Sequence, residues 1–202
     1  MKIHSSVPQN NKTLKYKEKR PNTSDDKRVR LLTAALDLFG ARGFDGVAVP
    51  EIARAADVAT GTIYRYFRDK EDLVNGLYRH WKAAYNAFVF APVPDEGARQ
   101  KFGFHWHRIM LFARANPHAL RFLCLHHHRP YLDAESLALD EAEEEGLVAL
   151  IPDGAKLAPR LAAALIWGAA AGMLKFAGAE APAFDAAAAG EMEEALWRAI
   201  VG

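Results

Sequence analysis

The chain has 202 residues, of which 50% are hydrophobic and 25% are charged, and it contains one cysteine. This length and composition predict a globular protein of one or two domains with a substantial core. A single cysteine excludes an intramolecular disulfide framework, and the N-terminus lacks the apolar core of a secretory signal, so we expect a cytoplasmic protein.

Charge is unevenly distributed along the chain. Residues 1–82 contain 16 Lys and Arg against 10 Asp and Glu, whereas residues 83–202 contain 10 against 15. A basic front part and an acidic back part indicate that only one end of the protein faces a polyanion. The longest apolar run, residues 161–174, is short for a membrane span and predicts a buried helix, so we expect no membrane partner.

Residues 1–23 are polar and predict a disordered tail. The tail carries the basic residues Lys12, Lys15, Lys17, Lys19 and Arg20. It is either a solvated tail or a basic arm that neutralises phosphates or enters a minor groove.

A first helix is predicted from Ser24 to residue 41. Ser24 is a favourable N-cap, and two aspartates follow it in the positively polarised first turn. Gly43 ends the helix, and Phe44 and Val47 close the following loop over a small core. Helical spacing places on one face Leu31, Ala34, Ala35, Leu38 and Phe39.

Residues 49–67 predict two short helices joined at an angle. Pro50 suits a first helical turn, and Asp57 suits the left-handed residue that ends the first helix. The predicted inward residues are Ile52, Ala53, Ala56, Val58, Ile63 and Phe67. The side chains left on the outside are Thr60, Thr62, Tyr64, Arg65 and, at the edge, Tyr66. Hydroxyls, phenols and a guanidinium on a short exposed helix can bind phosphates and base edges, as in a helix-turn-helix.

This segment resembles the TetR/AcrR family of bacterial transcriptional regulators. The resemblance covers roughly residues 28–77 and is carried by Ile52-Ala53, Ala56-Asp57-Val58, Gly61-Thr62-Ile63-Tyr64, Tyr66-Phe67 and Lys70-Glu71-Asp72-Leu73. It implies an all-α fold, with an N-terminal three-helix DNA-binding unit and a C-terminal helical bundle for ligand binding and dimerisation. The implied boundaries are a tail at residues 1–23, a helix-turn-helix domain at 24–72 and an effector and dimerisation domain at 73–202.

Four positions depart from the family's usual residues. Val47 stands where a phosphate-contacting Thr is common and Pro50 where a DNA-contacting Arg is common, and neither side chain can make such a contact. Asp57 replaces a common Gly and Ala59 a common capping Ser, for which Thr60 can take over. The resemblance therefore implies that DNA is contacted by Thr60, Gly61, Thr62, Tyr64, Arg65, Tyr66 and Lys70.

Six further helices are predicted after residue 69. Asp69 caps a long helix that runs to about Phe90 and links the two domains, and prolines 92 and 94 stop it. Helices follow at residues 96–115, from Pro117 to the histidine run, at 132–150, at 157–176 and at 184–201. The helix at 132–150 is expected to be solvated along the face that carries Glu141, Glu143, Glu144 and Glu145. The helix at 157–176 is apolar nearly all round, so we expect it to be buried on several sides.

The last two helices are predicted to form a two-fold dimer interface. Small residues let another helix approach closely, and larger apolar residues pack around them. The interface residues we expect are Leu161, Leu165, Gly168, Gly172, Leu196 and Ile200. A core helix within one chain is the alternative, and both descriptions can hold for different faces.

Aromatic residues of the second domain are either core residues or the lining of an apolar pocket. The resemblance implies a small effector, and the candidate lining is Trp81, Tyr85, Phe102, Trp106, Phe122 and His126. Histidines 105 and 107 point about 200° apart on a helix, and the run 126–128 fans around one, so we expect no metal and no cofactor.

Three functions are weighed. The leading one is a dimeric transcriptional regulator, a repressor released by a small apolar or aromatic effector. The second is a metal-dependent or histidine-using enzyme with an accessory DNA-binding unit, although no nucleophile–base spacing, paired-carboxylate motif or phosphate loop supports it. The third is an architectural DNA binder without a ligand, for which the aromatic-rich second domain would be superfluous.

Overall fold

The computed structural model describes residues 24–94, 97–125, 129–176 and 186–202, and these contain α-helices and no strand. The helices are α1 (Ser24–Arg42), α2 (Val49–Ala55), α3 (Thr60–Ile63), α4 (Lys70–Val89), α5 (Ala98–Ala115), α6 (Pro117–Leu125), α7 (Ala134–Val148), α8 (Pro159–Phe176) and α9 (Ala186–Val201). The predicted all-α fold is confirmed. The N-terminal tail and the histidine run 126–128 lie outside the described residues, as do residues 184 and 185 of the last predicted helix.

Helices α1 to α3 enclose a small core of their own. Leu31 and Phe39 of α1, Ile52 of α2 and Ile63 of α3 are buried together. Gly43 ends α1 with a φ of 70°, and its N–H donates to the Phe39 carbonyl at 2.8 Å. A residue with a side chain is strained at this φ, so glycine suits the sharp end of α1.

The turn between α2 and α3 has the geometry predicted for Asp57. Asp57 has a φ of 53°. Its N–H donates to the Arg54 carbonyl at 3.2 Å, and the N–H of Val58 donates to the Ala53 carbonyl at 3.0 Å. These two hydrogen bonds form a Schellman motif, which fixes the direction in which the chain enters α3.

Helix α4 joins the two parts of the protein. Asp69 accepts a hydrogen bond from the N–H of Asp72 at 2.8 Å, which confirms the predicted N-cap. The helix packs against α1 on one side and against α5, α6 and α7 on the other. A rigid helix that touches both parts can transmit a displacement between them.

The predicted solvated face of α7 is wrong at Glu143. Glu143 is 5% exposed and forms an ion pair with Lys82 of α4, which is 1% exposed. Lys82 also lies 3.0 Å from Asp140, which accepts a hydrogen bond from the Tyr78 hydroxyl at 2.8 Å. These polar groups therefore find their partners across the α4–α7 interface, and the contacts hold the two helices together.

Helices α5, α7 and α8 lie at their predicted positions with shorter ends, α6 begins at Pro117 as predicted, and α9 ends at Val201 as predicted. Helix α5 begins at Ala98, two residues later than predicted, after its N-cap Gly97, which has a φ of 93°. Helix α8 is not buried on several sides within the protomer. It buries Ala162, Ile166 and Leu174, whereas Leu161 and Leu165 on another face are 58% and 38% exposed. Among the described helices, none is both long enough and apolar enough to cross a membrane.

Candidate nucleic-acid interface

Helix α3 is anchored from below and exposed above. Ile63 and Phe67 are buried in the small core, and the Phe67 N–H donates to the Ile63 carbonyl at 2.9 Å. Tyr64 is 55% exposed and Arg65 is exposed beside it. Because Ile63 and Phe67 hold the helix in the core, Tyr64 and Arg65 can contact a partner without disturbing the packing.

The remaining α3 positions differ in their accessibility. Thr60 and Gly61 are exposed, and no atom of the described chain lies within 4 Å of the place where a Gly61 side chain would begin. Open backbone at this position allows close approach by another molecule. Thr62 and Tyr66 are half-buried, and Tyr66 packs against the core.

Thr60 is not the cap of α3, so that prediction was wrong. The N-cap is Ala59, which has no side chain that can accept a hydrogen bond, and the N–H of Thr62 donates to its carbonyl at 2.8 Å. Thr60 is the first helical residue instead. Its hydroxyl is therefore available to an external partner rather than to the helix end.

Lys70, the last predicted contact residue, is half-buried at the start of α4. Its ammonium nitrogen lies 4.1 Å from the centre of the Phe44 ring. Among the described residues no acidic group forms an ion pair with Lys70. Its charge is thus not neutralised within the described chain.

Arg54 is a candidate that the sequence interpretation missed. Pro50 and Arg54 are both exposed on α2 and lie four residues apart, so they share a face. The spacing from Pro50, the position at which the family commonly has an arginine, could have identified it.

Arg42 is less available, because it donates to Glu51 at 2.6 Å. That hydrogen bond and the Ala48 N–H lower the pKa of Glu51.

The predicted effector residues do not form one lining. Tyr85 and Trp81 both contact Phe112, at ring distances of 5.1 Å and 6.4 Å. Two further core residues of the predicted set lie elsewhere: Phe102 packs against Trp197, and Phe122 packs against Phe39 and Tyr78. His126 lies outside the described residues.

Two cavities of the described chain differ from the predicted pocket. A cavity of about 120 Å³ between α5 and α9 is lined by Trp106, whose indole N–H donates to the Ala189 carbonyl at 2.8 Å. An open groove of about 560 Å³ between α1, α4 and α7 is lined by none of the six predicted residues. Pockets for drug-sized ligands are usually about 300–1,000 Å³, so the first cavity is too small for one.

The environments of His105, His107 and Cys124 bear on whether the protein has a metal site. His105 is buried and donates from Nδ1 to the Val89 carbonyl at 2.7 Å, whereas His107 is exposed, which confirms that the two diverge. Burial lowers the pKa of His105 and raises the pKa of the Cys124 thiol. No three His, Cys, Asp or Glu side chains are grouped as metal ligands in the part of the chain that is described.

The predicted dimer residues divide into two groups. Leu161, Leu165, Gly168 and Gly172 lie on α8 at intervals of four, three and four residues, and the space beside both glycines is open. The assignment of the α9 residues needs correction. Leu196 and Ile200 are 3% and 0% exposed because they face the protomer's own core, so they have no surface to offer a second chain.

Comparison with known proteins locates the strongest likeness in the first three helices. Residues 31–77 match the sequence model of the tetR family of bacterial regulatory proteins. The transcriptional regulator HbdR of an Aromatoleum species is 39% identical over 54 residues, 27% of this chain and 24% of that protein. The fatty acid metabolism regulator protein of Bacillus subtilis is 38% identical over 63 residues, 31% of this chain and 30% of that protein. The matched segment thus spans about a third or less of these curated relatives.

Solved structures extend the likeness to nearly the whole chain. A tetR family transcription regulator from Shewanella sp. PV-4 is 26% identical, with a TM-score of 0.69 over 87% of this chain and 98% of that one. FadR from Bacillus subtilis, solved in complex with stearoyl-CoA, is 18% identical with a TM-score of 0.67 over 85% of this chain and 98% of that one, and shares the fold. The helix-turn-helix segment therefore matches the tetR family of bacterial regulatory proteins, and most of the chain is similar in sequence and fold to a solved tetR family transcription regulator.

Proposed function

We propose that the protein is a homodimeric, sequence-specific DNA-binding transcriptional regulator, a repressor that a small effector releases from its operator. The observation that carries the proposal is the exposed pair Tyr64 and Arg65, held on a short helix whose other side is anchored in a core. Residues 24–72 form the DNA-binding unit and residues 73–202 the effector and dimerisation domain.

Arginine and tyrosine suit the two tasks of an operator contact. A guanidinium can bind a guanine edge with two hydrogen bonds or a phosphate with one or two, and a phenol can donate to a phosphate oxygen. The hydroxyls of Thr60 and Thr62 and the backbone at Gly61 extend the same surface. At the edges of this surface, Lys70 and Arg54 supply positive charge that can bind phosphates.

The effector is proposed to be small and apolar or aromatic, and to act on the interior around Tyr85. Tyr85 is fully buried, with the rings of Phe112 and Trp167 at 5.1 Å and 5.9 Å. A ligand inserted there must displace these rings, which belong to α5 and α8 and pack against Tyr85 of α4. Release from DNA then requires that the ligand bind the displaced form more tightly than the DNA-binding form.

The exposed face of α8 supports a dimer. Leu161 and Leu165 would otherwise leave apolar surface in water, and two glycines on the same face allow close helix approach. Two copies of α3 in one assembly can then read two half-sites about 34–36 Å apart, or a multiple of that distance.

The test begins with selection of genomic fragments bound by the purified protein. Removal of the Arg65 side chain, Arg65→Ala, is then expected to weaken binding to the selected fragment by about fivefold or more per subunit, because a bidentate base contact contributes about 1–3 kcal/mol. Fluorescence anisotropy measures the affinity at several salt concentrations. Binding by the unchanged protein should weaken steeply as salt rises.

The matched control is Arg114→Ala, which removes an exposed arginine at the end of α5, outside the DNA-binding unit. It should leave the affinity unchanged. Equal affinities for Arg65→Ala and the unchanged protein, with folding intact, would remove α3 as the recognition helix.

A further inference from the structure

Three side chains from separate segments form a stack that ends at a proposed DNA contact. The Lys70 ammonium lies 4.1 Å from the centre of the Phe44 ring. The Phe44 ring in turn stacks on Tyr131, with ring centres 4.3 Å apart and planes 22° apart. Phe44 belongs to the loop after α1, Lys70 begins α4, and Tyr131 ends the 3₁₀ turn Arg129–Tyr131 that precedes α7.

Tyr131 belongs to the second domain and is fixed to α4 by Asn75. The Asn75 amide donates to the Tyr131 carbonyl at 2.8 Å and to the Glu71 carbonyl at 2.9 Å. Its oxygen accepts from the Asp133 N–H at 2.9 Å and from the Ser136 hydroxyl at 2.8 Å. A buried amide that uses both its ends leaves the backbone from the Tyr131 carbonyl to Ser136 little freedom, which gives the base of the Tyr131 side chain a defined position.

Lys70 lies at a position where its positive charge needs a stabilising contact. Lys70 is the first residue of α4, where the helix dipole disfavours a positive charge. Phe44 offers the electron-rich face of its ring to the ammonium, which offsets that repulsion. A free lysine side chain loses considerable rotamer entropy when it binds, whereas one already held in place loses less.

We propose that Tyr131 is a positioning residue for DNA binding: through Phe44 it holds the Lys70 ammonium where a phosphate of the operator can reach it. The inference rests on the proposed DNA contact of Lys70. One side of the ammonium faces the ring and its other N–H groups remain free to donate to a phosphate oxygen. A residue outside the DNA-binding unit thereby determines part of the affinity for DNA.

The experiment compares Tyr131→Ala, Tyr131→Leu and Tyr131→Phe on the selected DNA fragment, in the unchanged and the Lys70→Ala backgrounds. A cation–π contact of about 0.5–1 kcal/mol predicts that Tyr131→Ala and Tyr131→Leu weaken binding about two- to fivefold per subunit. Tyr131→Phe keeps the ring and should bind as the unchanged protein does. Neither loss should appear when Lys70 is already alanine.

Folding and DNA binding are separated by two measurements. Leucine fills most of the volume of the Tyr131 side chain but has no ring. Tyr131→Leu therefore keeps the test valid if Tyr131→Ala unfolds the protein. Circular dichroism measures whether each variant is folded. The salt dependence of binding should become less steep in Lys70→Ala and also in Tyr131→Leu. Phe104→Ala, which removes an exposed ring of α5, is the matched control and should change neither quantity.

The outcomes distinguish the inference from the function on which it rests. If Lys70→Ala weakens binding and Tyr131→Leu does not, or if the two losses simply multiply, Tyr131 does not act through Lys70 and the inference is overturned. If Lys70→Ala binds as tightly as the unchanged protein, the proposed DNA contact itself is removed. If the unchanged protein selects no DNA, the proposed function fails.

Discussion

Lys82 and Glu143 show how a charged pair can be hidden from sequence interpretation. Glu143 lies among three other glutamates in the sequence, a pattern that predicts a shared solvated face. In the structure its carboxylate meets the Lys82 ammonium, beside the face of Trp167 at 5.1 Å. Burial alone would lower the pKa of Lys82, but the carboxylates of Glu143 and Asp140 raise it above its ordinary value. The lysine therefore remains charged, and each buried charge depends on its partner.

Removal of one partner should cost more than removal of both. Glu143→Leu leaves the Lys82 ammonium buried with Asp140 as its remaining carboxylate, and we expect it to lower the free energy of unfolding by about 3 kcal/mol. The double variant Lys82→Met, Glu143→Leu should lose less than Glu143→Leu alone, because no buried charge lacks its partner. Urea denaturation measures both.

The matched control for that pair is Glu145→Leu, at an exposed position of the same helix, which should change the free energy of unfolding by about 0.5 kcal/mol or less. A double variant that loses the sum of the two single losses would mean that the pair does not act as a unit.

The helix-turn-helix is the element that the sequence predicts best, because its determinants are local. Pro50, Asp57 and Asp69 each mark a helix start or end through their own backbone preference, and each stands where it was expected. The inward placement of Ile63 and Phe67 follows from helical spacing alone. The same spacing cannot say which partner covers an apolar stripe: it allows Leu196 and Ile200 to face a second chain, whereas in the structure they face their own.

The pocket could not be predicted for a related reason. Aromatic residues have the same sequence signature in a packed core and in a cavity wall. Only tertiary contacts separate them, and those contacts place Tyr85, Phe102 and Phe122 in different parts of the interior. The acidic pattern of α7 does not reveal the burial of Glu143, because its partner Lys82 on α4 is 61 residues away in sequence.

At the turn between α2 and α3, backbone strain predicts an order of stability. Asp57 is exposed at a φ of 53°, and its ion pair with Arg30 at 3.6 Å contributes little in water. Asp57→Gly should raise the free energy of unfolding by about 0.5 kcal/mol, because relief of strain exceeds the added entropy of the unfolded chain. Asp57→Val should lower it by about 1 kcal/mol or more, since a β-branched side chain is poorly tolerated there.

Asp57→Asn, which keeps the size and the tolerance of positive φ, should leave the free energy of unfolding nearly unchanged. Thermal and urea unfolding of the four proteins give the order directly. Valine as stable as glycine at this position would show that the turn relaxes to another conformation.

At the scale of the whole molecule, α8 has two apolar faces with different fates. One face, with Ile166 and Leu174, fills the protomer core, and the other, with Leu161 and Leu165, reaches solvent. A helix of this kind is costly in a monomer and stable in an assembly that covers its second face. The proposed DNA recognition would depend on the same assembly, because a single α3 contacts few base pairs.

A charge on that second face should therefore abolish both the dimer and tight DNA binding. Leu165→Arg adds a guanidinium that the protomer can tolerate, since the position is 38% exposed, but that two close-packed copies of α8 would have to bury without a partner. Sedimentation analysis should find a monomer, and affinity for the selected fragment should fall by about 100-fold or more, because the second half-site is no longer bound from the same assembly. Ala142→Arg, at an exposed position of α7, should leave both properties unchanged. A Leu165→Arg protein that still sediments as a dimer would show that the subunits meet elsewhere, and the half-site spacing argued from α8 would then have to be abandoned.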